Sequence, residues 1–570
     1  YLRNIGLKGK KIRIFNPVVG GSFGTKLDTD IYEFVCIQLA LKTRRPVKIR
    51  FTREEEFMAL PPRQASRFTI EQGCDKEGKL TFRKVDAILD NGAYTSWGAT
   101  TPSVMMLPIS SMYRVPNVSF QATCVYTNNI YSQAMRGYGN PQAAFAVETS
   151  MDLLAEKAGI DAAEFRMINR NHPGDVTPMG LKITTCPLEQ CIITVKEKIK
   201  WDEKRGKGNG RGVGMASLIH VAGGARVYLS DGTGIRIKVN EEGEVDVLSG
   251  STDQGQGSPT VIAQIIAEAT GFRPEDVNIV FGDTALGLWD AGTHASRHTF
   301  VAGNAAVRAG EMVKRQILEL AVEYIPKLVK RTLKQQQKKN PEFVPPELDY
   351  TLIDSPDKLE LKNRMIYPRE APDHPHFKTE VSKILTAGLH VGVGESKAVV
   401  AEVFWDPPTQ MLNAEMKGNY SCTYAFGTAG VEVEVDRQTG EVKIVKLVSA
   451  HDVGRAINPT LVKGQIYGAA YIGVGYGLTE RVQVVDGKVV NANFRDYKIL
   501  TANDRIPVEA VIIEDPDPAG PYGAKGIGEP GLVPTAPAIA NAVYDAVGVW
   551  IKDLPITPEK VLAALKAQGR

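Results

Sequence analysis

The stretch GAKGIGEPG (523–531) places one carboxylate, Glu529, between glycines and a proline, ahead of a long apolar run. A carboxylate stripped of part of its hydration by such neighbours is a better proton acceptor, which suits a general base. Pro530 lacks an N–H and disfavours helical geometry at the residue before it, so Glu529 is expected in an extended conformation. A helix is expected to start near Thr535, capped by its hydroxyl, with Ile539, Val543, Val547 and Trp550 on one face. By itself the stretch is equally well a tight turn carrying a solvated acid. Its companions change the balance.

Three more glycine-rich strings occur: GGSFGTK (20–26), MRGYGNPQ (135–142) and STDQGQGSPT (251–260). They join glycines to side chains such as Gln142, Gln256, Ser258 and Thr260, and GQGSPT leads straight into a helical pattern. Dense glycine marks positive φ or close approach to something bulky, and N–H groups at a helix N-terminus favour anions. Loops of this kind meeting in space would cradle a large, polar, phosphate-bearing ligand. The string at 523–531 also matches G-x-G-x-x-G, but a long Pro/Asp/Gly loop separates it from the strand VEAVII, so a dinucleotide fingerprint is rejected.

The elements that must hold these loops follow one recurring pattern. GIRIKVNEEGEVDVLSG and GVEVEVDRQTGEVKIVKLVSA are alternating strands joined by Gly turns, and each leads to a polar loop and a helical stretch. RFTIEQGCDKEGKLTFRKVDAILDNG is a looser copy and VQVVDGKVV a short hairpin with an Asp-Gly turn. This predicts an α+β fold of hairpin-rich sheets with packed helices, repeated units whose Gly-rich loops converge. Residues 151–170 read as helical, and Gly and charge replace apolar periodicity near 200–212. The expected domains are 1–205 and 206–570, the second with a polar insert at about 326–390. The basic run KLVKRTLKQQQKK within it reads as the solvated end of a helix.

The 570 residues allow several cores, and a net charge of +3 points to no nucleic-acid or membrane-surface partner. No apolar run reaches the roughly 18 residues of a membrane helix. The six cysteines match no zinc or iron–sulfur spacing and the eight histidines form no ligand cluster. Free thiols in a reducing cytoplasm are expected, with any electron-carrying clusters on another chain. The opening YLRNIGLKGKKIRIFNP reads like the middle of a longer region, so a fragment, a processed chain or a split subunit is expected.

These strings, in this order, resemble the molybdopterin-binding large subunit of the xanthine dehydrogenase/aldehyde oxidase family of molybdenum hydroxylases. GGSFGTK is similar to the family's GGGFGGK loop, MRGYGNPQ to RGFGxPQ, DQGQG to its MGQG-type loop and GIGEP to its catalytic GxGEP. GDVTPMGLKITTCPLEQCI resembles the branch containing 4-hydroxybenzoyl-CoA reductase. The resemblance implies Glu529 as general base, with Gln256, Gly255, Phe23, Gly24, Arg136 and Gly528 on the loops facing the cofactor. It implies Gln465 and Ser296 as pterin-binding residues, whereas His298 stands where the family has a small hydroxyl residue. The cofactor implied is molybdopterin in its cytosine dinucleotide form, with molybdenum held through the pterin dithiolene and no direct protein ligand. Leu27 and Val104 stand where purine-oxidising members carry charged anchors, and Gly137 where the carbon monoxide dehydrogenases have Cys. The pocket is thus expected to be apolar, with Tyr138 able to stack on a flat substrate. [2Fe–2S] clusters and FAD are implied on an iron–sulfur subunit and an FAD-binding subunit, and a separate chain could supply the preceding molybdopterin segment. The activity implied is hydroxylation of an aldehyde or aromatic heterocycle, water giving the oxygen. The alternatives are reductive dehydroxylation of an aryl-CoA and a non-catalytic paralogue.

Overall fold

Glycines decide which surfaces meet in this chain. In the computed structural model, residues 7–226, 229–390 and 396–569 are described; the first six residues of the opening segment lie outside them. The strand Arg211–Val221 carries Gly212 and Gly214, and a Cβ on either would collide with the backbone of the helix Thr535–Val547. That helix answers with Ala538, Ala542 and Ala546, so helix and sheet backbones approach as closely as side chains allow. On another strand Gly430 leaves room for Val195 of the helix Leu188–Lys198. Helices therefore cover the sheet, whose inner strand Tyr424–Val435 is buried at every position except Glu434 rather than alternating.

This sheet has the order Val508–Ile513, Val442–Asp452, Tyr424–Val435, Arg211–Val221; the first pair is parallel and the others antiparallel. It belongs to a unit made of residues 21–226, 294–296 and 409–570. The same unit holds a three-stranded sheet, Ser66–Cys74, Leu80–Gly92 and Val118–Tyr126, packed by the helix Asn140–Ala158. A buried charge network ties that helix down. Arg166 bridges Glu148 at 2.9 Å and Asp152 at 2.7 Å, while Tyr113 and the Ser217 N–H both donate to Glu148 at 2.7 Å. Every charge there is paired, which is what makes its burial tolerable.

The other unit comprises 1–20, 227–293 and 297–408. Its sheet runs Val399–Trp405, Thr233–Val239, Val245–Ser249, Val277–Phe281, and the helix Ser258–Thr270 joins the last, parallel pair. Ile235 and Ile237 face inward between exposed Arg236 and Lys238, as alternation requires. The helix His298–Lys339 packs on this sheet, and its basic end projects into solvent apart from Val329 and Leu333. Beyond it, within 326–390, lie a small sheet (Leu359–Lys362, Met365–Pro368, Thr379–Glu380) and the helix Val381–His390. The molecule is α+β with several small mixed sheets. Among the described residues no helix is long and apolar enough to cross a membrane.

The expected hairpins form at Ser66–Gly92, Thr233–Ser249, Tyr424–Asp452 and, as two-residue strands around Asp486-Gly487, at Val484–Val489. The helix after Glu529 does begin at Thr535, but two details differ. The Thr535 hydroxyl donates back to the Gly531 carbonyl at 3.2 Å instead of capping, and Trp550 lies beyond the Gly548 C-cap, stacked on Tyr544. Glu529 is not extended: its φ of −116° and ψ of −33° open a 3-10 turn, Pro530–Leu532, in which the Leu532 N–H returns to the Glu529 carbonyl at 3.2 Å. The turn's own hydrogen bond outweighs the steric preference of a residue before proline.

Candidate active site

Glu529 has one donor on each carboxylate oxygen. The Gly137 N–H donates to Oε1 at 3.0 Å and the Ser296 hydroxyl to Oε2 at 3.0 Å. The same hydroxyl accepts the Glu529 backbone N–H at 3.0 Å. The side chain is 16% exposed, enough for a small molecule to reach it but not for free hydration. His220 Nε2 lies 3.8 Å from Oε2. The Val221 carbonyl accepts the His220 Nδ1–H at 2.8 Å, which leaves Nε2 facing Glu529.

Two sets of bonds hold the loop that carries this acid. Lys525 is buried and donates to Asp452 at 2.5 Å, Thr185 at 2.5 Å and the Tyr424 carbonyl at 3.1 Å. Its own N–H reaches the Val453 carbonyl at 2.9 Å, and the Gly526 N–H the Ala222 carbonyl at 2.9 Å. Burial pushes the Asp452 carboxyl up to about 6, against the opposing pull of Lys525. Arg136 then clamps Gly528: Nε donates to its carbonyl at 2.6 Å, while Nη2 donates to the Gln465 carbonyl at 3.2 Å and side-chain Oε1 at 2.9 Å. Desolvation lowers the Arg136 guanidinium to about 10, with the Glu529 carboxylate pulling the other way, so it stays charged at neutral pH. Its backbone N–H bonds the Phe23 carbonyl at 2.7 Å and its guanidinium lies 5.9 Å from the Phe23 ring centre. Gly24 has φ +109° and presses against the Ala134 carbonyl, where a Cβ would come within 2.5 Å. Only glycine fits there.

The structure thus brings Glu529, Gly528, Arg136, Gln465, Phe23, Gly24 and Ser296 together in one unit. Leu27 stays beside Gly24 through its N–H, at 3.1 Å, and Val104 sits half-buried on the helix Thr101–Ser111. The Tyr138 hydroxyl is tied to Thr100 at 2.7 Å and to the Trp97 carbonyl, and its ring meets Trp97 edge-on. Sequence reasoning missed His220, the Gly137 N–H and Tyr420. The Tyr420 hydroxyl is buried with no hydrogen-bond partner among the described residues; burial raises its pKa and the nearby Glu529 carboxylate adds to this. No spacing signal marks either side chain, since His220 is one more inward residue of a buried strand.

Gln256 and Gly255 belong to the other unit. Asp253 Oδ1 gathers the N–H groups of Gly255 and Gly257, both at 3.2 Å, and Gly257 (φ +84°) opens the helix Ser258–Thr270. Gln256 closes the loop on itself, accepting the Gln254 N–H at 2.7 Å and donating to the Thr252 carbonyl at 3.3 Å and to Ser258. In this unit His298 is buried, burial lowers its pKa to about 4, and neither ring nitrogen has a hydrogen-bond partner among the described residues.

Known proteins share this organisation. Residues 1–170 and 194–506 each match a family described as a molybdopterin cofactor-binding domain. The chain is 32% identical over 563 residues to a probable xanthine dehydrogenase subunit of Bacillus subtilis, covering 98% of this chain and 70% of that one. It is 31% identical over 571 residues to a putative xanthine dehydrogenase molybdenum-binding subunit of Escherichia coli, with the same coverage of 98% and 70%. The solved aldehyde oxidoreductase of Desulfovibrio gigas superposes with a TM-score of 0.79 at 25% identity, over 99% of this chain and 56% of that one. The four glycine loops, the clamped Glu529 and these matches together place the chain in the xanthine dehydrogenase/aldehyde oxidoreductase family, as a molybdopterin-binding large subunit.

Proposed function

We propose that this chain is the catalytic subunit of a multi-subunit molybdenum hydroxylase that oxidises an aldehyde or aromatic heterocycle with water as oxygen donor, and that Glu529 is its general base. The observation that carries this reading is the Glu529 carboxylate, held by one donor on each oxygen yet 16% exposed. The residues present fit the cofactor. Gly255 (φ +104°) has open space above it, with only the Val19 carbonyl within 4 Å of where a Cβ would stand. Gly464 and Gly468 leave one helix face bare beside Gln465 and Arg136, and the buried Tyr420 hydroxyl has no hydrogen-bond partner among the described residues. Phe23, Gly24, Arg136, Gln465 and Gly528 are proposed binding residues in one unit, and Gln256 and Gly255 in the other; Ser296, which the resemblance implies as a pterin contact, gives both bonds of its hydroxyl to Glu529. The bound cofactor supplies the oxygen-transfer and electron-accepting chemistry. Glu529 accepts the proton released as water is added, Arg136 and Lys525 fix the loop beneath it, and Ser296 holds the acceptor oxygen. Leu27, Val104 and Tyr138 are proposed to line an apolar substrate pocket.

The finer proposals are a cytosine dinucleotide form of the pterin, a cytoplasmic location, the division near residue 205, and partner subunits carrying [2Fe–2S] clusters and FAD. The reductive reading, dehydroxylation of an aryl-CoA, rests on the resemblance of the stretch 174–192, whose Thr185 accepts a hydrogen bond from Lys525 on the loop that carries Glu529. A [4Fe–4S] cluster beside FAD in the partner subunits would favour it. The test of the base is Glu529→Gln in the purified complex. General-base removal is expected to lower kcat by about 10² to 10⁴-fold, with molybdenum content unchanged. A cofactor-replete variant that keeps more than a tenth of the rate would refute the assignment.

A further inference from the structure

The Ser296 hydroxyl binds Glu529 twice, accepting its backbone N–H and donating to Oε2, each at 3.0 Å. With the Gly137 N–H on Oε1 at 3.0 Å, donors from two other segments fix the carboxylate in place. This grip is built at a cost. Ala295 and Ser296 both adopt left-handed backbone, φ +47° and +51°, which non-glycine residues disfavour. Ser296 is only 9% exposed, and the loop ahead of Glu529 is pressed onto it so closely that a Cβ on Gly526 would overlap the Ser296 carbonyl oxygen. Glycine would satisfy that backbone better than serine does. The hydroxyl is what glycine lacks, and both of its bonds go to the acid.

We infer that Ser296 is a positioning residue for the general base, setting the orientation of the Glu529 carboxylate, and that its hydroxyl is not primarily a cofactor anchor. This rests on the reading of Glu529 as the base. The torsions of a glutamate side chain leave its carboxylate free to swing by more than an ångström, and a misplacement of that size costs a reaction about 10²-fold.

Ser296→Gly and Ser296→Ala, made in the holoenzyme complex, separate the possibilities. Glycine removes the hydroxyl and relieves the left-handed backbone; alanine removes the hydroxyl and keeps the strain. Turnover of benzaldehyde and of quinoline is followed with a dye acceptor, alongside molybdenum content, thermal midpoint and a crystal structure of the glycine variant. The expected result is kcat lowered about 10- to 100-fold in both variants, with KM changed less than about threefold and molybdenum unchanged. The glycine variant should be at least as heat-stable as the alanine one, with the Glu529 carboxylate displaced in the crystal. A glycine variant with wild-type kcat beside an inactive Glu529→Gln overturns the positioning role and leaves the base intact. Loss of molybdenum from both Ser296 variants overturns it in favour of a cofactor anchor. An active Glu529→Gln, or a wild-type complex that oxidises neither probe, removes the functional reading on which it stands.

Discussion

A base is useful only if its lone pairs point where the proton arrives, and the proposed base, Glu529, has a donor on each carboxylate oxygen. Ser296 and Gly137 each donate to one oxygen, while His220 Nε2 lies 3.8 Å from Oε2. Tyr420 is different, because its hydroxyl is buried without a partner among the described residues. An unpaired buried hydroxyl costs about 1–3 kcal/mol, so Tyr420→Phe should leave the cofactor-free chain as stable or more stable; a lower thermal midpoint would mean that the hydroxyl is bonded after all. Leu27 and Val104 lead to a substrate prediction. Neither side chain can make the charged hydrogen bonds that a purine needs, and a lost buried polar anchor is worth several kcal/mol. The purified complex is expected to oxidise xanthine far more slowly than its best aldehyde or heterocycle, and comparable rates in a dye-acceptor assay would show that the pocket has been misread. The isolation of Glu529 between glycines and Pro530 was legible in the sequence; its role as base is the proposal. His220 and Tyr420 were not, since their importance comes from packing between strands and loops far apart in the chain.

At the scale of elements, hairpins were legible wherever alternation and a Gly turn coincide, as in Thr233–Ser249. Pairings between distant segments were not. The parallel contact of Val442–Asp452 with Val508–Ile513 leaves no mark on either strand's periodicity, and the backbone of Glu529 was misread because a local 3-10 hydrogen bond is invisible in residue type. Gly212 and Gly214 of Arg211–Val221, which carry no helix or strand signal of their own, are packing devices. Gly214→Ala would drive a methyl group into the backbone of the helix Thr535–Val547, and overpacking of this kind is expected to destabilise by about 2–4 kcal/mol. Gly464→Ala is the control: it lies in a helix with nothing within 4 Å of its would-be Cβ, and should gain up to about 1 kcal/mol. Denaturant unfolding of the cofactor-free chain decides between them. Equal midpoints for the two variants would mean that strand and helix are less tightly apposed than described.

Across the whole molecule, buried histidines make stability depend on pH in a direction that can be worked out. Burial lowers His451 to about 3 and His298 to about 4, both from an ordinary 6.5. The unfolded chain therefore takes up these protons first, so the stability they contribute is complete above about 6.5 and drains away as pH falls toward the folded values. Asp452 acts in the opposite sense. Its carboxyl is raised to about 6, so the folded chain binds that proton before the unfolded one does, and acid partly restores what the histidines lose. Between about pH 6.5 and 5 each histidine should remove roughly 2 kcal/mol. His451→Gln isolates one of them, because glutamine keeps a polar partner for Ser449, which bonds His451 Nε2 at 2.7 Å, and cannot take up a proton. The variant can start less stable, since Gly427 packs directly on the His451 ring. The relevant quantity is the change in unfolding free energy between pH 7.5 and about 5, which should be smaller in His451→Gln than in the wild type by roughly 2 kcal/mol. Identical pH dependence in the two proteins would mean that His451 is charged, or hydrated, in the folded state.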